Sequence, residues 1–234
     1  MRGLPVGERA LLLEVESDAA VEALHAELVR RLGSPELPAV GEIVPAARTV
    51  LLDGLADPAA TAARVARWRI RVGPREHGSV VRIPVRYDGP DLVGVAALWG
   101  VTPDEAVRIH AGVEYRVAFC GFAPGFGYLT GLPDRYHVPR HDTPRTRVPV
   151  GSLAIAGPYT GVYPRSSPGG WQLIGTADVV LWDPDREPAA LLAPGTRVRF
   201  VPTTDGTTGG ATDSTDAAGA AAEAAGRATD GAAR

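Results

Sequence analysis

The chain has 234 residues, a hydrophobic content of 45% and a formal net charge of −3, values ordinary for one large or two modest globular domains. This charge excludes the basic surface of a typical nucleic-acid-binding protein, and no apolar run reaches the roughly 18 residues of a membrane span. All 24 basic residues are arginine, which excludes a Schiff-base lysine and a Walker A loop. The single cysteine excludes an internal disulfide, and the first residues are unlike a secretory signal, so we expect a cytoplasmic protein.

The first third of the chain alternates strand and helix patterns. Ser17 is a candidate N-cap, and Gly33 is a stop signal. Val21, Leu24, Leu28 and Leu32 are predicted to fall on one helical face. Residues 10–16 are predicted to be a strand, 17–32 a helix, 42–54 two short strands around a turn, 57–71 a second helix and 79–88 a last strand. This β-α-β-β-α-β order predicts a ferredoxin-like domain over residues 1–86.

The second segment, residues 87–202, changes from helices to strands. A short helix is predicted to begin at Asp91 and a second at Pro103, after the capping residue Thr102. Short strand patterns separated by Gly and Pro follow at residues 114–122, 148–157, 171–175, 178–183 and 196–202. They indicate a β-barrel or sandwich, so the fold class is α+β. Residues 203–234 contain no Val, Leu, Ile, Met or aromatic residue and are predicted to be a disordered tail.

Two loops combine glycine and proline with aromatic residues. "GFAPGFGYLTGL" spans residues 121–132 and "RSSPGGWQLIG" spans residues 165–175. Pro124-Gly125 and Pro168-Gly169 each fit the centre of a type II turn. The aromatic residues could plug barrel corners, but two loops of the same composition favour walls of one pocket.

An arginine-rich segment lies between these loops. Arg140, Arg145 and Arg147 stand among prolines in "PRHDTPRTRVPVGS", and their guanidinium groups suit a carboxylate or a phosphate. Residues two apart in an extended segment point the same way. We therefore expect Arg145 and Arg147 to converge on one anion, with a solvated basic loop as the alternative.

The remaining chemical candidates are isolated side chains. His110, on the second predicted helix of this segment, is a candidate acid–base group or else a packing residue. His137 and His141 are interrupted by Pro139 and lack further ligands, so no metal site is predicted. Cys120 lies in an apolar strand pattern and is expected to be a core thiol. No Ser-based catalytic triad is recognisable.

Longer motifs point to one family. "EYRVAFCGFAPGFGYLTGL", "TPRTRVPVGSLAIAG", "TGVYPRSSPGGWQLIG" and "LLAPGTRVRF" resemble the allophanate hydrolase subunit 1 family, also known as the family of 5-oxoprolinase B subunits or sporulation-kinase inhibitors. The resemblance covers residues 10–202. It implies a small N-terminal α+β domain followed by a cyclophilin-like β-barrel.

The resemblance implies one subunit of an ATP-dependent 5-oxoprolinase, a hydrolase that opens 5-oxo-L-proline to L-glutamate. The implied partners are an allophanate hydrolase subunit 2-type protein (the C subunit of 5-oxoprolinase) and a lactam-utilisation-type protein (its A subunit), and the chain alone is expected to be inactive. ATP is the implied cofactor of the assembled complex. The family also leaves open a carboxyltransferase component of a urea-carboxylase or allophanate-hydrolase system, and an inhibitor that binds a histidine kinase.

Site residues follow from the same resemblance. The implied catalytic residues are His110, Arg145 and Arg147. The implied substrate-binding residues are Phe122, Pro124, Gly125, Phe126, Tyr128, Gly151, Thr160, Tyr163, Ser167, Gly169, Gly170 and Trp171. One departure is Tyr159, which stands where the family pattern has glutamine, so the substrate could differ from 5-oxoproline.

Overall fold

In the computed structural model, which describes residues 1–37, 39–70 and 80–203, the chain begins with a four-stranded antiparallel sheet packed against two helices. Its elements in chain order are β1 Arg2–Val6, β2 Ala10–Glu14, α1 Asp18–Arg31, β3 Glu42–Pro45, β4 Thr49–Asp53 and α2 Pro58–Val65. The strands are arranged β1-β2-β4-β3. The apolar faces of the sheet and of both helices form one buried cluster.

The helices of this part start where their capping residues predict. The Ser17 hydroxyl accepts a hydrogen bond of 3.2 Å from the amide of Ala20, and Asp57 caps α2 in the same way. Val21, Leu24 and Leu28 of α1 are buried as predicted. Leu32 is not, because α1 ends at Arg31 and Leu32 follows as the C-cap residue with 46% exposure. The second helix ends at Val65 rather than near residue 71.

The second part is a closed barrel with two helices and a short ribbon. Its elements are β5 Val80–Arg86, α3 Leu92–Trp99, α4 Pro103–Ala111, β6 Tyr115–Cys120, β7 Gly127–Thr130, a 3₁₀ helix Asp134–Tyr136, β8 Arg145–Val148, β9 Ser152–Ala156, β10 Tyr159–Val162, β11 Ser167–Gly169, β12 Gln172–Ala177 and β13 Arg197–Pro202. The barrel order is β10-β7-β6-β13-β5-β12-β9, with β9 paired to β10. Strands β8 and β11 form a separate two-stranded ribbon.

The barrel is closed by its last strand. Strand β13 pairs in parallel with β5, where Phe200 lies opposite Ile83, and antiparallel with β6 on its other side. Because side chains alternate along a strand, Ile83, Val198 and Phe200 point inward and are buried. The α+β fold class is therefore confirmed.

Two topological predictions are wrong. Strand β5 was expected to complete the N-terminal unit within residues 1–86, but it lies in the barrel, and β1 occupies the edge of the N-terminal sheet beside β2. The ferredoxin-like assignment is therefore not confirmed. The strand predicted at residues 178–183 is reduced to a single bridge between Trp182 and Ala190.

Residues Met1–Pro202 form one compact unit. The predicted tail, apart from Thr203, lies outside the described residues. Among the described residues, no helix is long and apolar enough to cross a membrane.

Candidate functional site

The two glycine–aromatic loops meet on the barrel. The ring of Trp171 lies 5.6 Å from that of Phe126 and 5.7 Å from that of Tyr128, centroid to centroid. Tyr163 lies 5.4 Å from Phe126. All these rings meet edge to face, the arrangement that aromatic quadrupoles favour. We call these four side chains, together with Phe122, the aromatic rim.

The first loop is shaped by two residues with positive φ. Gly125 has a φ of +82°, as expected for the turn at Pro124-Gly125, and a Cβ there would lie 2.9 Å from Cβ of Trp182. Phe122 also has a positive φ, of +67°, and its neighbours close a three-residue turn through a 2.7 Å bond from the amide of Ala123 to the carbonyl of Gly121. This strained γ-turn leaves the Phe122 ring 55% exposed.

The second loop uses its glycine differently from the prediction. Pro168-Gly169 is not a turn, because both residues belong to β11 and Gly169 pairs with Arg145 of β8. A Cβ on Gly169 would lie 2.4 Å from the Tyr163 hydroxyl oxygen. Glycine is therefore required here for the close approach of the Tyr163 ring.

Arg145 is held by a carboxylate of the protein itself. Its Nη2 donates to Oδ1 and Oδ2 of Asp91 at 2.6 and 2.8 Å, and its Nη1 donates to the carbonyl of Trp171 at 3.3 Å. The amide of Leu173 donates to Asp91 Oδ2 at 2.6 Å. Burial alone would raise the pKa of Asp91, but the Leu173 amide, His141 and Arg145 together lower it.

The segment from Pro139 to Arg145 runs beside Trp171. The amide of His141 donates to the carbonyl of Gly170 at 2.8 Å, and the Gln172 side chain donates to the carbonyl of Pro139 at 3.1 Å. His141 Nε2 lies 3.3 Å from Asp91 Oδ2. Asp91, His141 and Arg145 thus form a charged cluster at the edge of the aromatic rim.

Two further arginines, Arg140 and Arg147, belong to the same segment as Arg145 and are exposed. Arg147 is exposed and donates from Nε to the hydroxyl of Ser166 at 3.2 Å. Burial raises the pKa of Tyr128 and of Tyr163, and the positive charge of Arg140 acts against that rise at both phenols. The expected convergence of Arg145 and Arg147 on one anion is not present in the structure, because Nη2 of Arg145 is bonded to both carboxylate oxygens of Asp91 while Arg147 is bonded to Ser166.

His110 is in the barrel core, not at the rim. It has no exposed surface, its Nδ1 is 2.8 Å from the Tyr87 hydroxyl, and the rings of Tyr115 and Phe200 lie 5.0 and 5.2 Å from its own. Burial lowers its pKa to about 3. An acid–base role at the rim is therefore wrong for His110, and the packing interpretation describes it.

The other predicted residues divide between rim and barrel wall. Ser167 lies in the ribbon and Gly170 contacts Pro144 and the backbone of His141. Thr160 is fully buried in β10, and Gly151 is buried in the turn before β9. Cys120 is half-buried, donates to the carbonyl of Leu192 at 3.3 Å and has a pKa raised by burial. Thr160 and Gly151 therefore shape the wall behind the rim.

Sequence reasoning missed Asp91 and undervalued His141. Asp91 was interpreted only as a helix start, yet its side chain makes no capping bond to α3. His141 was weighed only as a metal ligand, and among the described residues no group of three His, Cys, Asp or Glu side chains could hold a metal ion. No local pattern indicates their partnership, because it joins residues about fifty positions apart.

A separate cavity of about 190 Å³ lies between α1 and the barrel. Its lining includes Glu22, His25, Arg116 and Gly195, and Glu22 pairs with Arg116. None of the predicted site residues lines this cavity.

Comparison with known proteins identifies the family. The family described as "Carboxyltransferase domain, subdomain C and D" matches residues 1–192. The chain belongs to this family. It is 43% identical over 210 residues to the B subunit of 5-oxoprolinase from Escherichia coli O157:H7, covering 86% of this chain and 95% of that protein.

Solved structures of similar proteins agree with the fold. The crystal structure of TTHA0988 is similar with a TM-score of 0.67 and 39% identity over 84% of this chain, which spans only 40% of that longer chain. Urea amidolyase of K. lactis matches 86% of this chain and 15% of its own, with a TM-score of 0.68 and 17% identity. That second likeness shows the fold alone. In both structures this unit is one part of a larger polypeptide.

Proposed function

We propose that this chain is the B subunit of a 5-oxoprolinase, a hydrolase complex that opens 5-oxo-L-proline to L-glutamate with ATP. The observation that carries the proposal is the 43% identity to a B subunit of 5-oxoprolinase over 95% of that protein's length. The urea amidolyase likeness rests on 17% identity and adds no support for the carboxyltransferase alternative.

The chemistry of the rim suits such a substrate. 5-Oxoproline is a flat cyclic amide that carries a carboxylate. Aromatic faces and edges bind flat rings, and the exposed guanidinium of Arg147, which is bonded to Ser166 of the second loop, suits a carboxylate. The rim and Arg147 therefore supply one apolar and one ionic half of a small-molecule site. We retain Phe122, Tyr128 and Arg147 as substrate-contacting residues, because these three side chains have exposed surface. The rings of Phe126, Tyr163 and Trp171 are buried and hold the rim in place from behind.

ATP enters this proposal as a substrate of the assembled complex. The chain has no lysine, so it cannot form a Walker A loop, and any phosphate it contacts must be held by arginine or backbone amides. We assign the remaining catalytic parts to the two partner proteins, the lactam-utilisation type and the allophanate hydrolase subunit 2 type. We also propose that the barrel is of the cyclophilin-like type.

Tyr159 does not exclude this substrate. Its ring lies 5.6 Å from Tyr128 and 5.6 Å from Phe119, so it extends the rim on one side. A phenol here can still donate one hydrogen bond where glutamine would offer an amide.

The proposal is tested by assembling the chain with these two partner proteins and measuring glutamate formed from 5-oxoproline and ATP. The complex should be active and the chain alone inactive. Arg147→Ala should raise KM roughly ten- to hundredfold, as expected for loss of a charge-assisted contact, and Arg147→Lys should restore little of it.

The matched control is Arg82→Ala, which removes an exposed arginine from β5 and should leave KM unchanged. An assembled complex without ATP-dependent glutamate formation would contradict the proposed function. Equal KM values for wild type and Arg147→Ala would remove Arg147 from the binding site but leave the function standing.

A further inference from the structure

His141 is turned toward a carboxylate that shares its cluster. Its Nε2 has no accessible surface and lies 3.3 Å from Asp91 Oδ2, without the alignment of a full hydrogen bond. Such loose geometry is common in catalytic pairs before a ligand binds. Since Nε2 faces Asp91, Nδ1 is the ring nitrogen left to exchange a proton with a ligand.

The carboxylate that faces His141 is itself rigidly held. Its side chain is only 12% exposed, and both oxygens are bonded, by Arg145 and by the amide of Leu173. These bonds stabilise the ionised form. Asp91 can therefore fix one orientation of the His141 ring rather than follow it.

The pair also lies next to the surface proposed to hold the substrate. His141 is bonded through its amide to Gly170, the residue before Trp171. Arg145, on the other side of Asp91, donates to the carbonyl of Trp171 itself. The charged cluster is therefore bonded to the same stretch of backbone, Gly170 and Trp171, that carries the Trp171 ring of the aromatic rim.

We propose that His141 and Asp91 are the proton-transfer pair of this site, with His141 as the catalytic residue and Asp91 as the positioning residue. This proposal rests on the proposed 5-oxoprolinase activity. The acid–base role thus falls to His141, whose side chain is 33% exposed and can be reached by a substrate. His110 cannot be reached, because it has no exposed surface.

The substrate of the proposed step is a lactam whose carbonyl oxygen has been phosphorylated by ATP, with release of ADP. Water attacks the carbonyl carbon, a C–O bond forms, and Nδ1 of neutral His141 takes one proton from that water. The departing nitrogen then takes the proton from His141 and the C–N bond of the ring breaks. The hydroxyl on the tetrahedral carbon becomes the carbonyl of an acyl phosphate, and its proton passes through solvent to the released amine. Hydrolysis of the resulting acyl phosphate by a second water gives glutamate and phosphate.

The first arm of the test needs no turnover. The chain has five histidines, so the ring nitrogens can be resolved in ¹H–¹⁵N NMR spectra of the full chain and His141 assigned by its loss in His141→Gln. We expect neutral His141 to be the Nε2–H tautomer, and Asp91→Asn to convert it to a mixture of tautomers. The His137 signals should not change. A tautomer mixture at His141 in the wild type would overturn the pairing.

The second arm uses the assembled complex. His141→Gln keeps an N–H group near Asp91 but cannot transfer a proton, so kcat should fall about 100-fold or more while KM changes less than about threefold. Added imidazole should restore part of the activity of His141→Gly. Asp91→Asn should lower kcat by at least about tenfold, and Asp91→Glu should recover part of the loss if Asp91→Asn folds poorly.

The matched control is His137→Gln, which alters a partly buried histidine of the same segment that contacts Asp134 instead; its kcat should equal that of the wild type. A His141→Gln complex with wild-type kcat would overturn the proposal. If the wild-type complex opened no 5-oxoproline, the proposed function would fail, and the tautomer of His141 would still decide whether Asp91 orients it.

Discussion

Two histidines of the barrel part have opposite surroundings. His110 is sealed in the core between aromatic rings and is held by the phenol of Tyr87. His141 is partly exposed, and its inner nitrogen faces the carboxylate of Asp91. A sealed site without a counter-charge disfavours the protonated ring, whereas His141 has a carboxylate beside it. Access and a charged partner, rather than a place on a helix, distinguish a proton-transfer residue from a packing residue.

The largest expected effect tests whether His110 is sealed. Its pKa is depressed from the ordinary 6.5 to about 3, so its contribution to stability is full above pH 6.5 and is lost as the pH falls toward 3. The free energy of unfolding should then decrease by up to about 1.4 kcal/mol per pH unit more steeply in the wild type than in His110→Asn, which keeps a partner for Tyr87 but cannot be protonated.

Urea unfolding of both proteins at pH 7, 6, 5 and 4 measures this difference. The carboxylates contribute equally to the pH dependence of both proteins, so their contribution cancels in the comparison. If the free energy of unfolding depended on pH in the same way in both proteins, His110 would be protonated freely in the folded protein. His110 and His141 would then not differ in their surroundings as described.

The next effect concerns how the rim is held. Gly169→Ala should lower the free energy of unfolding by about 2 kcal/mol, because the new methyl group displaces the buried Tyr163 ring from the cluster. Its neighbour is the control: a Cβ on Gly170 would meet nothing closer than 3.5 Å, so Gly170→Ala should change stability by less than about 0.5 kcal/mol. Chemical denaturation compares the three proteins, and equal losses at both glycines would mean that Tyr163 is not packed as described.

The smallest effect separates the two arginines of β8. Arg145→Ala should cost about 1 kcal/mol of stability, because it removes the fork onto Asp91, a pair still partly open to solvent. Arg147→Ala should be neutral within about 0.5 kcal/mol, since Arg147 is exposed and bonded only weakly to Ser166. Thermal unfolding of both variants decides the point, and a larger loss for Arg147→Ala would reverse the structural and binding roles assigned to them.

Local rules predicted most of the secondary structure. Ser17 and Thr102 cap their helices as expected, because a capping bond joins residues three apart. The turn at Pro124-Gly125 is present because glycine accepts positive φ at low cost. The meeting of the two aromatic loops also followed, since burial draws large apolar side chains together.

Long-range partners could not be predicted in this way. Pro168-Gly169 repeats the dipeptide of a turn, but its glycine is required by the close approach of Tyr163, which follows β10. The sequence around Asp91 indicates only the start of a helix. In the folded chain its carboxylate accepts bonds from Arg145 and from the amide of Leu173 and lies beside His141. Strand β5 has the pattern expected of either sheet, and only its pairing with β12 and β13 assigns it to the barrel.

The position of β13 has a consequence for biosynthesis. This strand, residues 197–202, stands between β5 and β6, so the wall of the barrel stays open until the last described strand has left the ribosome. Until then the edges of β5 and β6 are unpaired, and Ile83 and Tyr115 have no Phe200 to cover them. Exposed edges of this kind invite pairing with other chains, so the nascent chain should depend on chaperones during the final stage of translation more than at any earlier one.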